Sequence, residues 1–453
     1  MSAYSDVDVT AAVDRVLPEV RADLERLVRV PSVAFPGFDH QEVHRSAELV
    51  AELCRAAGVP DVRILTVDGG QPAVVARIPA PPGAPTVLLY AHHDVQPVGD
   101  GAGWDTAPFE PTQRGDRLFG RGAADDKAGV TAHLAAIRAF GGRPPVGVTL
   151  FIEGEEECGS PTLERFLHEY EELLRADVLV LADSGNWDVG TPALTTSLRG
   201  LADCYVEVRT LEHPVHSGMY GGIVPDALTA LCRLLARLHD DAGNVAVPGL
   251  HEAGPTGVDM PEKRLRAESS VLDGVELIGS GSITERNWNK PSLTVLGIDC
   301  PSVRDASNTL VASARAKVSL RLAPGQDTEA AMTALVEHLR GHAPWGASVT
   351  VTRGELGAPY QIDATGPVFD AARDAFRTAW DGVAPVDMGV GGSIPFVAEF
   401  AEAFPSASIL VTGVEDPDSR AHGANESLHL GEWRRACLAE ALLLAKLAPA
   451  TDR

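Results

Sequence analysis

Cysteine is scarce and scattered. Cys54, Cys158, Cys204, Cys232, Cys300 and Cys437 form no C-x-x-C pair. That excludes a cysteine zinc clip, argues against a disulfide framework, and fits reduced thiols in a cytoplasm. Basic residues are also few: Lys plus Arg is 38 against 63 for Asp plus Glu, a formal net charge of −25. Such a balance excludes wholesale binding to nucleic acid or to an anionic membrane surface. No apolar run approaches about 18 residues, so no membrane-spanning helix is expected. The first residues, Met1-Ser-Ala-Tyr-Ser-Asp6, lack a basic and then apolar leader pattern, so no secretory signal is expected. What is present is ordinary for a folded protein. The chain has 453 residues, 45% hydrophobic and 22% charged, enough for two or three domains with real cores.

The N-terminal segment reads as helices, with apolar stripes at Val13, Val16, Leu17 and Val20 and at Leu49, Leu53 and Cys54. Short, near-continuous Val/Ile/Leu runs follow at 86–91, 146–152, 177–182 and 408–412. Runs of this kind, separated by helical segments, predict the buried strands of a largely parallel α/β sheet. Between 199 and 352 the style changes. Cys204-Tyr-Val-Glu-Val208 and Ala316-Lys-Val-Ser-Leu-Arg-Leu322 alternate apolar with polar, which predicts strands with one buried face. Helical patterns follow at Leu228, Leu231, Leu234, Leu235 and Leu238, and at Met332, Leu335 and Leu339. The expected organisation is an α/β domain in two parts, 1–198 and 353–453, with an α+β domain at 199–352 inserted between them. The stretch 240–282, rich in Gly, Pro and Glu, reads as a long loop or lobe.

Potential metal ligands fall at matching places on this map. His92 and Asp94 directly follow one buried run, Glu155-Glu156-Glu157 another, and Asp183 a third. His422 lies in a loop about ten residues beyond the fourth, and Asp125-Asp126 precede a helix. Open α/β sheets bind ligands beyond the carboxyl ends of their strands. Each piece alone has a bland reading: a surface His–Asp pair, a solvated acidic face, a turn cap, or a helix N-cap at Asp125-Asp126. Their convergence on one edge favours the functional reading, because like charges packed there repel unless a cation or proton neutralises them.

The motifs Ala91-His-His-Asp-Val-Gln-Pro97, Gly120-Arg-Gly-Ala-Ala-Asp-Asp-Lys-Ala-Gly129 and Glu153-Gly-Glu-Glu-Glu-Cys-Gly-Ser160 resemble those of the di-zinc peptidase family of carnosinase, aminoacylase and the succinyl-diaminopimelate and acetylornithine deacylases. Trp104, Pro108-Phe109, His216-Ser-Gly218, Gly391-Gly-Ser-Ile-Pro395 and Ala421-His-Gly-Ala-Asn-Glu426 fit the same pattern, in order. The Asp-Val-Gln-Pro and Glu-Glu-x-Gly-Ser forms look most like the cytosolic dipeptidase branch. The resemblance implies a zinc-peptidase catalytic domain with an inserted lid and dimerisation domain. It implies two divalent ions per subunit, zinc with manganese or cobalt as other occupants. Asp125 would bridge them, His92 and Asp183 would complete one site, and Glu157 and His422 the other. Asp94 would orient the His92 ring, and Glu156 would be the general base. Glu155 would be peripheral, and the Asp125–Asp126 peptide would be cis. His216 would stabilise the tetrahedral oxyanion, and in dimeric relatives it comes from the other subunit. Arg321 would grip the substrate carboxylate, with Asn308 near it and Gly392 and Ser393 donating hydrogen bonds on the other side.

The expected function is a metal-dependent dipeptidase hydrolysing the amide next to a free C-terminal carboxylate. It would be cytoplasmic and homodimeric through the inserted domain, with no nucleic-acid or membrane partner. Two alternatives stand beside it: an N-acyl-amino-acid deacylase of the same family, and a metal-binding protein without activity. The first two differ in the pocket for the amine side of the substrate. A free ammonium there needs an anionic or carbonyl partner, and the sequence alone does not identify one.

Overall fold

A computed structural model describes residues 4–99, 101–392 and 395–449. The chain divides into two compact units. The first comprises Met1–Thr196, Asp363–Met388 and Glu399–Arg453, and the second Ser197–Ile362 with Gly389–Ala398. Among the described residues no helix is long and apolar enough to cross a membrane.

The first unit is built on a mixed sheet. Its central strands Gly147–Glu153, Thr86–His92, Val178–Leu181 and Ser408–Val411 run parallel in that spatial order. Antiparallel strands flank them, Ala73–Ile78 and then Asp61–Leu65 on one side and Ala193–Leu198 on the other. The parallel run is thus confined to the centre, where both faces are covered. Burial follows: every residue of Gly147–Glu153 and Val178–Leu181 is buried. Helices Asp6–Val28, Lys127–Ala139, Pro367–Ala379 and Leu430–Lys446 pack on one another. Tyr90, Phe151, Phe166 and Phe400 form an aromatic cluster, with Phe151 stacked on Phe166 at 5.0 Å between ring centroids. Because the four central strands are parallel, their carboxyl ends share one edge, and the loops leaving them meet there.

The second unit has a four-stranded antiparallel sheet in the order Ser292–Asp299, Ser313–Leu322, Gly200–Arg209, Ser348–Gly357. Helices Ala227–Leu235 and Thr328–Gly341 cover one face. Cys204, Val206, Val208, Val318 and Leu320 meet Leu231, Leu234, Met332, Leu335 and Leu339 in a single core. Each leucine so buried contributes about 1.5–3 kcal/mol. The alternate residues face the other way, where Arg315 and Lys317 lie over the Tyr205 ring. The stretch 240–282 is loop apart from the helix Glu262–Ser269.

Candidate metal centre

His92 is the last residue of its strand and is fully buried. Its Nε2 lies 3.0 Å from Asp125 Oδ1, 3.8 Å from Asp183 Oδ1 and 3.9 Å from Glu156 Oε2. His422, held at a φ of 61°, points its Nε2 at the other oxygen of the same aspartate, 3.1 Å from Asp125 Oδ2, and at Glu157 Oε2, also 3.1 Å away. One carboxylate therefore stands between two imidazoles, each of its oxygens directed at a different ring. His92, Glu156 and Asp183 offer one cluster of donor atoms, and His92, Asp125 and Glu157 a second.

Local chemistry holds these side chains in place. Glu426 is fully buried, and its Oε1 accepts the amides of Ala124 and Asp125 at 2.9 and 3.1 Å. Its Oε2 accepts Gly122 N and the Arg121 guanidinium, so a single carboxylate ties the whole turn that presents Asp125. The Asp125–Asp126 peptide is cis. Asp126 then caps the helix Lys127–Ala139 through Gly129 N and accepts His92 N. Gly129 must lack a side chain, since a Cβ there would sit 2.2 Å from Asp126 Oδ1 and 2.8 Å from Ala182 O.

Asp94 does more than face His92. The His92 Nδ1 is 3.1 Å from the Asp94 carbonyl oxygen and 3.4 Å from its carboxylate. That carboxylate also accepts the amides of Glu156 at 3.2 Å and Glu157 at 3.1 Å, so it clamps the turn that carries both glutamates. Glu157 is held besides by Gln96, whose amide and side-chain nitrogens donate to its carboxylate. Glu155, the third acid of the run, accepts Thr162 N and Gln71 N and anchors the loop. His93 turns away, with its Nε2 2.9 Å from Pro72 O. Burial, then Asp94, pushes the Cys158 thiol up to about 12, away from the thiolate form.

The electrostatics describe a site short of positive charge. Burial, then Asp183, lifts Glu156 well above the usual carboxylate range. Burial, then Asp125, lifts Glu157 to about 7. His422 is raised to about 11 by Asp125 and Glu157. Burial disfavours charge on His92, but Asp125, Asp183 and Asp94 outweigh it and hold the ring well above its ordinary value. Imidazole nitrogens crowded by carboxylate oxygens, with negative charge in excess, are the donor chemistry of divalent cations. The residues fit such ions: His92 and Asp183 would hold one, Glu157 and His422 the other, with Asp125 between them.

The remaining candidates lie in the second unit. His216 ends a two-residue strand paired with Thr309–Leu310, and its Nδ1 accepts Gly218 N at 3.0 Å. A neutral imidazole accepting at Nδ1 carries its proton on Nε2. Asn308 stands beside it, its carbonyl accepting Ser217 N at 3.0 Å, and both residues are exposed. Arg321 sits on the strand Ser313–Leu322, directly opposite Ser292 and Leu201. A Cβ on Gly392 would meet only Val390 Cγ1, at 3.9 Å, and Ser393 lies outside the described residues.

Arg199, Glu426 and Glu415 were not singled out from sequence. Arg199 is buried, donates to Gly391 O and Ser292 Oγ at 2.9 Å each, and is pulled down to about 10 by burial and by Arg321. Glu426 closes the motif that contains His422, yet its buried partners lie far away in sequence. Glu415 follows the strand Ser408–Val411 at the same carboxyl edge, so the strand-end rule that picks out Asp183 also reaches it. Burial, then Asp125 and Asp183, lifts its carboxyl well above the usual range.

Comparison with known proteins places this geometry in a class. Residues 88–446 match the description "Peptidase family M20/M25/M40", and the chain belongs to that family. Within it, the chain is similar to proteins named as dipeptidases and metallodipeptidases. The chain is 35% identical over 413 residues to a cysteinylglycine-S-conjugate dipeptidase of Corynebacterium striatum, covering 90% of each. It is 27% identical over 470 residues to a Cys-Gly metallodipeptidase of Saccharomyces cerevisiae, covering 95% of this chain and 96% of the relative. The crystal structure of human carnosine dipeptidase 1 superposes with a TM-score of 0.79 at 26% identity, over 99% of this chain and all of that one. The protein is a hydrolase of peptide bonds, a metal-dependent dipeptidase.

Proposed function

We propose that the enzyme cleaves dipeptides of the Cys-Gly type, with a free C-terminal carboxylate, at a centre of two divalent cations held by His92, Asp125, Glu157, Asp183 and His422. The observation that carries this reading is the Asp125 carboxylate, 3.0 Å from one imidazole and 3.1 Å from the other. Nitrogen and carboxylate donors without thiolate favour zinc, with manganese and cobalt as competitors. When bound, the pair of cations polarises the scissile carbonyl and makes a water nucleophilic at neutral pH.

The chain's own groups do the rest. Glu156 accepts a proton from the attacking water and returns it to the leaving amine. Asp94 keeps Glu156 and Glu157 in register through their amides. His216 donates from Nε2 to the oxyanion, since its Nδ1 is occupied by Gly218 N. Arg321 pairs with the substrate carboxylate, and Asn308, Gly392 and Ser393 add hydrogen bonds. Exposed Met219, Tyr220 and Ile223, close to His216 in sequence, support a homodimer formed through the second unit. All six cysteines are free, which suits a reducing cytoplasm.

The test is turnover by the purified protein on dipeptides and N-acyl amino acids, with and without a chelator. Dipeptide hydrolysis that the chelator stops is expected. Release of amino acids from N-acyl substrates alone would favour the deacylase, and metal binding with no turnover would favour a protein without activity. Light scattering checks the dimer.

A further inference from the structure

Arg199 lies between the strands Ala193–Leu198 and Gly200–Arg209 and is 7% exposed. Its backbone N–H donates to Val390 O at 3.1 Å, and its guanidinium is spread over three separate segments. Nε donates to Gly391 O and Nη1 to Ser292 Oγ, each at 2.9 Å. Nη1 and Nη2 also stand 3.5 Å from Lys290 O and Asn287 Oδ1. The fit is close. A Cβ on Gly391 would come within 2.9 Å of Nη2 and 2.6 Å of Asn287 Oδ1. All of these residues belong to the second unit.

Every one of these acceptors is neutral, and among the described residues no carboxylate pairs with Arg199. Two acids of the adjoining strand and loop are committed elsewhere, Asp203 to Lys317 and Glu252 to Lys290. What stands near instead is a second guanidinium. Ser292 lies directly opposite Arg321 in the antiparallel pairing. Residues so placed share a face, with Cβ atoms about 5 Å apart. Their neighbours Leu293 and Leu320 point into the core, so Ser292 and Arg321 project to the face away from it. The Arg199 guanidinium reaches that same face through Ser292 Oγ. A buried cation beside another of the same sign is costly unless an anion completes the site.

We propose that Arg199 is a second cation of the substrate-carboxylate site: held by Gly391 and Ser292, it adds its charge to that of Arg321 and so favours a free C-terminal carboxylate over a neutral amide. This inference rests on the reading that Arg321 pairs with the substrate carboxylate. Arg199 is a specificity residue, and it does not touch the reacting atoms.

The experiment uses the metal-loaded full chain with two variants. Arg199→Met removes the charge and keeps the length, and Arg199→Lys keeps the charge. For alanylglycine, KM should rise roughly 10- to 50-fold in Arg199→Met, with kcat changed far less. That is the size of an attraction between unit charges several Å apart at an effective dielectric of about 20. Arg199→Lys should recover most of the loss, whereas a merely structural fork would be broken by lysine as well. Calorimetry in a Glu156→Gln background, where neither ligand is turned over, compares alanylglycine with alanylglycinamide. Adding Arg199→Met should weaken binding of the acid and leave the amide unchanged. Equal losses on acid and amide, no recovery with lysine, or no change in Arg199→Met would each overturn the proposal. If Arg199→Met misfolds, Arg199→Gln keeps a polar head without the charge, and the same selective loss is expected. If Arg321→Met abolishes the preference for the acid while Arg199→Met leaves it whole, the carboxylate reading stands and this inference alone falls. Equal binding of acid and amide with both arginines in place would instead sink the carboxylate reading, and this inference with it.

Discussion

The two units hold their candidate residues in opposite ways. In the first, His92, Asp94 and Glu157 are buried just past parallel strands and Asp125 in the turn before the helix Lys127–Ala139, locked by backbone amides and by Glu426, with only His422 of the expected ligands exposed. In the second, His216 and Asn308 are exposed at a two-residue antiparallel pairing of Val215–His216 with Thr309–Leu310, held by a few backbone contacts. The first arrangement exists before any substrate arrives, and groups fixed in this way suit ion binding and proton transfer, where misplacement by about 1 Å is costly. The second can adjust to a ligand, at the cost of ordering it on binding. The contrast predicts that damage to the first unit acts on the metals and on kcat, and damage to the second on the transition state and substrate with the metals intact.

The largest expected effect comes from removing the ions. Dialysis against a chelator should bring dipeptide turnover to background, and zinc, manganese or cobalt should restore it. Turnover that survives complete demetallation, checked by mass spectrometry, would erase the distinction between the units.

Next is Glu156→Gln, which should lower kcat by roughly 10²–10⁴, the usual worth of a general acid–base group, while both metals stay bound. The measurement is sharp because Glu156 Oε2 also stands 3.9 Å from His92 Nε2 and belongs to a donor cluster with His92 and Asp183. Metal loss in this variant would mean that Glu156 is a ligand and that Glu157 takes the proton.

Much of this centre was legible in sequence because its logic is local. Buried runs mark parallel strands, and an acid or histidine directly after such a run has few solvated places to go. Asp183 and His92 are found that way. The alternating strands Cys204–Val208 and Ala316–Leu322 were equally plain, since a half-covered sheet writes its period of two into the sequence. What escaped depends on distant partners. Glu426 and Arg121 meet across 305 positions, and nothing near either announces the other. Gly389–Ala398 groups with the second unit although the chain on both sides belongs to the first. The antiparallel run of the flanking strands was also invisible: Ala73–Ile78 is mostly covered and a covered strand reads alike in either direction, while Asp61–Leu65 is a short, largely uncovered edge. Asp94 was legible as a neighbour of His92, but its hold on the amides of Glu156 and Glu157 was not.

His216→Ala tests the second unit. It should cut kcat by roughly 10²–10³, the cost of one oxyanion donor, with metal content unchanged. An unchanged rate would remove His216 from the mechanism. If the site is completed across a dimer, mixing His216→Ala with Glu156→Ala subunits should recover part of the activity after verified exchange. No recovery would keep each site within one chain.

The smallest effect should come from Asp94→Asn. Asparagine keeps one acceptor oxygen but turns an amide group toward one of the two N–H groups that Asp94 now satisfies at 3.2 and 3.1 Å. It also removes the negative charge 3.4 Å from the outer nitrogen of the His92 ring. A partner of this kind behind a metal-ligating histidine is worth roughly 10- to 100-fold in metal affinity. The turn should lose about 1–3 kcal/mol for the amide left unpaired. Competition with a chromophoric chelator reads the first quantity and urea unfolding the second. Weaker metal binding together with a lower unfolding midpoint is expected, since one carboxylate serves both the ring and the turn. A lower midpoint with unaltered metal affinity would assign Asp94 to the glutamate turn alone, and the Asp94 carbonyl oxygen, 3.1 Å from Nδ1, would then be what orients His92.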